Sequence, residues 1–289
     1  MLAGICDSGN VISLAELAKV EDIIRSVNEQ AVVPRFRSLG ESDVVMKGPM
    51  DPVTIADREA EDLLRERLTA FLPGSVLVGE EAVSEDASVL EALSGSAPVW
   101  IVDPIDGTRN FVSGSERFST LVALAVDGVL QASWSYAPVL GRVGTALAGQ
   151  GAWVDGQPAR VAAPSGPDAL PDALPVATSH PVWWPQGYGR GVDAMRAAGL
   201  DVRYFDACGI EYLDLAVGAR SAMVLTWEYP WDHAAGLLLV AEAGGHVAGL
   251  DGAPVRLAGG NALPFIASRD AATTGLIRQA IVGSEEAAG

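Results

Sequence analysis

Two aspartates, Asp103 and Asp106, close an apolar run in the segment Val99–Phe111, VWIVDPIDGTRNF. Pro104 biases Asp103 towards an extended conformation and cannot donate to a sheet ladder. The chain therefore leaves a strand here with both carboxyl groups at its end. Gly107-Thr108 can bring backbone N–H groups close to a ligand, and a short helix starting there would favour an anion. Carboxylates beside an anion hole repel a phosphate unless cations lie between them. A hard cation such as Mg²⁺, held by protein oxygens and by the phosphate, satisfies both features. The plain alternative for Asp103 and Asp106 is an Asx-turn at a strand end.

Three further acids bear on the choice. Glu80, in VGEE (78–81), ends another short apolar run beside Glu81. Asp232, in WDHAAG, opens an apolar helix, where an acid is also favoured by the helix dipole. Asp57 stands three residues after Thr54, the spacing of a capping box. Each has a structural explanation on its own. Their shared placement at the edges of separate elements argues for a common site.

These residues must be positioned by a chain of 289 residues, enough for one large domain or two ordinary ones. An apolar fraction of 49% with 19% charged residues fits a soluble globular protein. The net charge of −18, with no basic run, excludes a nucleic-acid polymer or an anionic membrane as an expected partner. Cys6 and Cys208 are too few and too far apart for a disulfide framework or a thiolate metal site. The first residues lack the positive start and apolar core of a signal peptide, and no apolar stretch is long enough to span a bilayer. A cytoplasmic location is expected.

Apolar spacing predicts helices over about 13–30 and from Thr54 to Pro73-Gly74, then a strand over Val76–Gly79. From 99 to about 154 the pattern becomes strands: 99–102, 120–126, 129–136, 143–148 and 152–154. Asp127-Gly128 and Asp155-Gly156 are hairpin-turn signals. Ala162–Pro175 reads as a loop. Beyond it, helices near 190–199, 209–218, 232–243 and 270–281 alternate with strands at 202–205, 222–226 and 264–267. Gly244-Gly245 caps the 232–243 helix at its C-terminal end. The organisation expected is an N-terminal α+β half, 1–157, with most of the acids, and a C-terminal α/β half, 158–289, that supplies Asp232.

DPVTIAD (51–57), VGEE (78–81), WIVDPIDGTRNF (100–111) and WDHAAGLLLVAEAGG (231–245) carry a resemblance to the inositol monophosphatase family. These are Mg²⁺-dependent, lithium-sensitive phosphatases related to fructose-1,6-bisphosphatase, and the likeness spans nearly the whole chain. It implies a layered αβαβα sandwich and a homodimer. It also implies a reaction in which water, activated by metal, hydrolyses a small phosphomonoester. Carried over by position, Glu80, Asp103, the Ile105 carbonyl, Asp106 and Asp232 hold the metals, two or three Mg²⁺ ions. Glu80 and Thr108 orient and deprotonate the water, Asp57 lies near a third, weaker metal, and the amides of Gly107 and Thr108 bind phosphate. Two cations about 3.5–4 Å apart suit an in-line displacement. His233, His180 and His246 are given no chemical role.

The substrate is less legible. In the inositol and histidinol phosphatases a glutamate lies seven residues before the last metal aspartate; here that position is Leu225, with Glu228 nearby at another spacing. Asp206–Tyr212, DACGIEY, also departs from the family's small-residue pattern. Inositol-phosphate-like polyol or sugar phosphates are the first expectation. 3′-Phosphoadenosine 5′-phosphate, fructose 1,6-bisphosphate and histidinol phosphate stand beside them, as does a non-hydrolytic metal–phosphate binding protein. Trp183-Trp184-Pro185 is read as a buried anchor or dimer contact in preference to an aromatic rim.

Overall fold

Ser13 opens the first helix, α1 (Leu14–Val27), with a reciprocal capping box: its N–H donates to the Glu16 carboxylate at 2.8 Å. The computed structural model describes residues 11–48, 50–161 and 174–286. Cys6, the first ten residues and residues 162–173 of the expected loop lie outside them. Helix α1 is shorter than the 13–30 expected, because one π-helical turn, Asn28–Val32, follows. There the buried Asn28 amide donates to the Ile24 carbonyl at 3.0 Å, taking up an acceptor of the regular ladder.

A hairpin that apolar patterning does not announce comes next, β1 (Val44–Gly48) against β2 (Asp51–Thr54). Its strands are short, and β1 is largely exposed, so no alternation marks it. Thr54 then caps α2 (Ile55–Phe71), β3 (Val76–Gly79) runs into α3 (Glu80–Glu85), and β4 (Val99–Asp106) runs through Gly107 into α4 (Thr108–Ser113). The meander β5 (Ser119–Val126), β6 (Val129–Ala137), β7 (Arg142–Leu147), β8 (Gly151–Val154) and β9 (Gln157–Pro158) completes a sheet ordered β3-β4-β5-β6-β7-β8-β9. The β3–β4 pair is parallel and the other pairs are antiparallel.

The second sheet is built from β10 (Leu174–Ser179), β11 (Leu200–Phe205), β12 (Ala222–Leu225), β13 (His246–Ala248) and β14 (Phe265–Ser268), in the order β11-β10-β12-β14-β13. Strand β10 corrects the sequence reading, which placed Leu174-Pro175 in a loop and no strand after it. β10 is buried between two parallel neighbours, and such strands show no alternation. The helices of this half are α5 (Tyr188–Ala197), α6 (Cys208–Ala216), α7 (Pro230–Glu242) and α8 (Ala271–Glu286).

Alternation along β4 explains the layering. Trp100 and Val102 pack with Val20, Ile24, Ala60 and Leu64 of α1 and α2, while Val99 and Ile101 share a cluster with Trp231, Ala234 and Ala235 of α7. In the second sheet Val176, Val202 and Ile266 meet α5 and α8, whereas Ala177, Met223 and Phe265 meet α6 and α7. Helices α6 and α7 thus lie between two sheets, each covered by helices on its other face: a layered αβαβα sandwich. Gly236 permits the middle layer, since a Cβ there would stand 2.0 Å from the Tyr212 ring.

Candidate active site

Strand β4 runs past the expected 99–102 and does not leave its sheet at Asp103, since Asp106 still pairs with Ser119 of β5 beyond a bulge. Register with β5 breaks between Asp103 and Asp106, and the Ile105 N–H donates to Asp103 Oδ1 at 3.0 Å, an Asx-type turn. Gly107 follows at φ +85°, where a Cβ would sit 2.9 Å from the Ala207 Cβ and 3.2 Å from the Arg117 carbonyl. Both the left-handed backbone and the close approach demand glycine. The turn sets Thr108 at the start of α4. Its hydroxyl donates to the Ile105 carbonyl at 2.9 Å and stands 3.3 Å from Asp57 Oδ1. Asp57 does form the capping box, its Oδ2 accepting from the Thr54 N–H at 2.8 Å, and its other oxygen remains free to face Thr108.

Asp106 is held by the second half of the chain. The N–H groups of Cys208 and Gly209, at the start of α6, donate to it at 2.9 and 2.8 Å, and the Ser119 hydroxyl at 2.8 Å. The DACG segment therefore serves Asp106 directly. On α7, Asp232 Oδ2 accepts the indole N–H of Trp227. His233 steadies that tryptophan: Nε2 lies 3.1 Å from the Trp227 carbonyl and Nδ1 3.2 Å from the Tyr212 hydroxyl. A carbonyl only accepts, so the proton sits on Nε2 and Nδ1 accepts from Tyr212. Burial pushes this imidazole down to about 3, which keeps it neutral. The ring is buried, so of packing and surface, the two placements expected from sequence, the structure shows packing.

Glu80 begins α3. The Glu61 carboxylate accepts the Glu81 and Ala82 N–H groups at 2.8 and 3.0 Å, capping that short helix. Lys47, from the β1–β2 hairpin, donates to Glu80 at 2.6 Å and to Glu81 at 3.0 Å. Sequence reasoning missed both Lys47 and Trp227. Lysine occurs only at 19 and 47, a rarity that could have singled out Lys47; Trp227 carries no such signal.

These acids share one electrostatic problem. Burial pushes Glu80 up to about 8, Asp232 and Asp57 to about 7, and Asp106 to about 6, in part against hydrogen bonds and the Lys47 ammonium that pull the other way; Asp103 lies well above the carboxylate range. For Asp103 the repelling neighbours are Glu80, Asp106, Asp232 and Asp57, which come from four separate elements. Among the described residues no three carboxyl, histidine or cysteine groups are placed so that they could hold a metal ion as they stand. The Glu80 carboxylate is instead taken by the Lys47 ammonium. A buried set of acids with one lysine beside it is short of positive charge, and its donors are hard oxygens. Both facts fit a divalent cation such as Mg²⁺.

A cavity of about 580 Å³ opens over the cluster, a size typical of small-molecule sites. Glu80, Asp103, Ile105, Asp106, Gly107, Thr108 and Asp232 all line it, and Asp57 stands behind Thr108. Leu225 is fully buried in β12. Glu228 turns to another loop, accepting from the Gly260 and Asn261 N–H groups at 3.1 and 2.8 Å. The tryptophan pair divides. Trp184 is an anchor, its indole N–H donating to the Ser179 carbonyl at 2.9 Å; Trp183 is 45% exposed on the cavity wall, against the buried reading.

The sequence matches the Inositol monophosphatase family over residues 13–283. An inositol-1-monophosphatase of Rhizobium meliloti (strain 1021) is 35% identical over 215 residues, covering 73% of this chain and 76% of the relative. A histidinol-phosphatase of Chlorobaculum parvum is 36% identical over 195 residues, covering 67% and 71%. Among solved structures, the Thermotoga maritima IMPase superposes with a TM-score of 0.78 at 25% identity, covering 96% of this chain and all of that one.

Proposed function

Because the chain belongs to the inositol monophosphatase family, a family of phosphatases, we propose that it is a Mg²⁺-dependent phosphomonoesterase of a small metabolite. The observation that carries this reading is the convergence of Glu80, Asp103, Asp106 and Asp232 under one cavity, beside the Thr108–Asp57 contact. Glu80, Asp103, the Ile105 carbonyl, Asp106 and Asp232 would hold two or three ions. When bound, Mg²⁺ supplies Lewis-acid polarisation of the phosphoryl group and lowers the pKa of water.

The chain's own groups do the rest. The amides of Gly107 and Thr108 receive phosphate oxygens. The Thr108 hydroxyl, between Ile105 and Asp57, orients the attacking water, with Glu80 on the same cavity wall as the second proton acceptor. Asp57, pushed up to about 7, is suited to accept a proton through Thr108 near neutral pH. Water oxygen forms the new P–O bond in line, the ester P–O bond breaks, and the departing alkoxide takes up a proton. No covalent phosphoenzyme is needed. Burial and the surrounding acids keep the Cys208 thiol in the wall protonated.

On the same reading, by resemblance, the enzyme is a cytoplasmic homodimer inhibited by lithium in the millimolar range. Asp232 comes from the 158–289 half and the remaining ligands from 1–157. Phosphate release from a panel of phosphomonoesters tests the proposal. EDTA should abolish it, Mg²⁺ should restore it, and Glu80→Gln, Asp106→Asn and Asp232→Asn should each remove it while the fold survives. Full activity of Asp106→Asn on a proven substrate would sink the ligand assignment.

A further inference from the structure

Helix α6 reaches the site with its first residues, and one side chain a turn further on has no part in the chemistry so far. Glu211, in the DACGIEY segment, is only 3% exposed, and each of its carboxylate oxygens holds one arginine. Oε1 accepts from Arg117 Nη2 and Oε2 from Arg220 Nε, both at 2.8 Å. A buried carboxylate needs such partners, and losing one leaves its charge uncompensated. The two arginines lead in different directions. Arg220 also stands 4.0 Å from Asp214, which Arg142 holds at 2.7 Å. None of Arg220, Asp214 and Arg142 lines the cavity.

Arg117 leads into the site. It lies in the connection from α4 to β5, residues 114–118. Its carbonyl accepts from the Asn110 side-chain amide of α4 at 2.6 Å and stands 3.2 Å from where a Gly107 Cβ would be. Two residues on, the Ser119 hydroxyl donates to Asp106. The connection therefore makes one wall of the Gly107 turn and leads directly into one donor to Asp106. Ala207 and the amides of Cys208 and Gly209, at the start of α6, make the facing wall and supply the other two donors. The Glu211–Arg117 pair joins these walls across 94 positions of sequence. The Arg117 side chain is half exposed, so without Glu211 it is free to turn to water.

We infer that Glu211, acting through Arg117, is a positioning residue for the reaction: it clamps the 114–118 connection against α6, so that Asp106 and the Gly107-Thr108 turn keep the geometry that cation and phosphate require. The inference rests on the phosphatase reading for what the turn binds; the clamp itself stands on contacts of side chains that hold neither. Groups that orient a metal ligand directly change metal affinity or activity by about 10- to 100-fold, and one contact further out the loss should be about 5- to 10-fold.

The test uses the full chain and two readouts: calorimetric titration with Mn²⁺, and phosphate release with Mg²⁺ on the best substrate of the phosphomonoester panel. Arg117→Met should lower Mn²⁺ affinity and kcat at least fivefold each, and Arg117→Lys, which keeps the charge, should return both to within threefold of the parent. Arg220→Met strips the other oxygen of the same carboxylate. It should cost stability in thermal unfolding yet leave affinity and kcat within twofold. Glu211→Gln should follow Arg117→Met, and the double variant should be no worse than Glu211→Gln alone. If Glu211→Gln does not fold, the comparison of the two arginine variants decides. Equal losses in Arg117→Met and Arg220→Met overturn the inference, as does an Arg117→Met within twofold of the parent. If no phosphoester is hydrolysed yet Mn²⁺ affinity divides the two arginines as expected, the phosphatase reading fails and the clamp stands. An active parent with an unimpaired Arg117→Met keeps that reading and loses the clamp, and a parent that binds no Mn²⁺ overturns both.

Discussion

Replacing Trp227 with phenylalanine isolates one hydrogen bond from everything else in the site. The indole N–H is the donor to Asp232 Oδ2, while the ring itself packs against Phe205 and His233 at 6.2 and 5.1 Å between centroids. Phenylalanine keeps a ring in that place and deletes the donor. A hydrogen bond to a charged group contributes about 1.5–3 kcal/mol. At about 1.4 kcal/mol per factor of ten, its loss should weaken Mg²⁺ binding about 10- to 150-fold, close to the effect of other groups that orient metal ligands. The same N–H holds the Asp232 pKa down against burial, so removing it raises that pKa and moves the acid limb of metal binding to higher pH. Calorimetric titration of Mg²⁺ or Mn²⁺ into the metal-free protein at several pH values measures both effects. The smaller ring also leaves a void, costing about 1–2 kcal/mol of stability; thermal unfolding without metal reads that loss separately. Metal affinity within twofold of the parent, with the acid limb unmoved, would refute the role assigned to Trp227.

Other expectations follow from the same geometry. Gly79→Ala would place a Cβ 2.3 Å from the Glu61 carboxylate that caps α3, so it should destabilise the fold by about 1–3 kcal/mol in chemical denaturation. Phosphate release should fall with it, because Glu80 begins that helix. Gly107→Ala forces a left-handed residue against Ala207 and should cut kcat at least tenfold with a smaller change in melting temperature; an unchanged kcat would show that the turn does not set Thr108. The metal-free protein should lose stability as pH rises from about 4 to 8. Glu80, Asp57, Asp106 and Asp232 have folded pKa values raised above 4.5 or 3.8, so the folded state keeps protons that the unfolded chain has released. His233 works in the opposite sense as pH falls below 6.5, one group against the whole set of raised acids, Asp103 among them. Added Mg²⁺ should raise the melting temperature more at pH 8 than at pH 5.5, since it binds the deprotonated acids; the reverse order would exclude a metal bound by this cluster.

Much of the site was legible because its parts are local in sequence. A proline after Asp103, a glycine before Thr108 and an acid in the first turn of α7 each dictate backbone geometry within a few residues, and those elements formed where expected. Asp57 shows how a structural and a chemical reading coexist, since one carboxylate oxygen caps α2 and the other faces Thr108. The β1–β2 hairpin and β10 were not legible, for opposite reasons. β1 is too exposed to alternate, and β10 is buried on both faces.

By itself the sequence determined that the acids and the Gly107 turn stand at the ends of strands and helices, because their types and local spacing fix those ends. Only the tertiary structure decided what those groups meet. Lys47 reaches Glu80 across thirty-three positions, and the amides of Cys208 and Gly209 reach Asp106 across more than a hundred. It also sorted the residues the sequence left open, turning Glu228 to a distant loop and leaving Trp183 open while Trp184 is tied down. Such pairings depend on how two sheets close over α6 and α7, and no spacing along the chain encodes the distance between side chains brought together by packing.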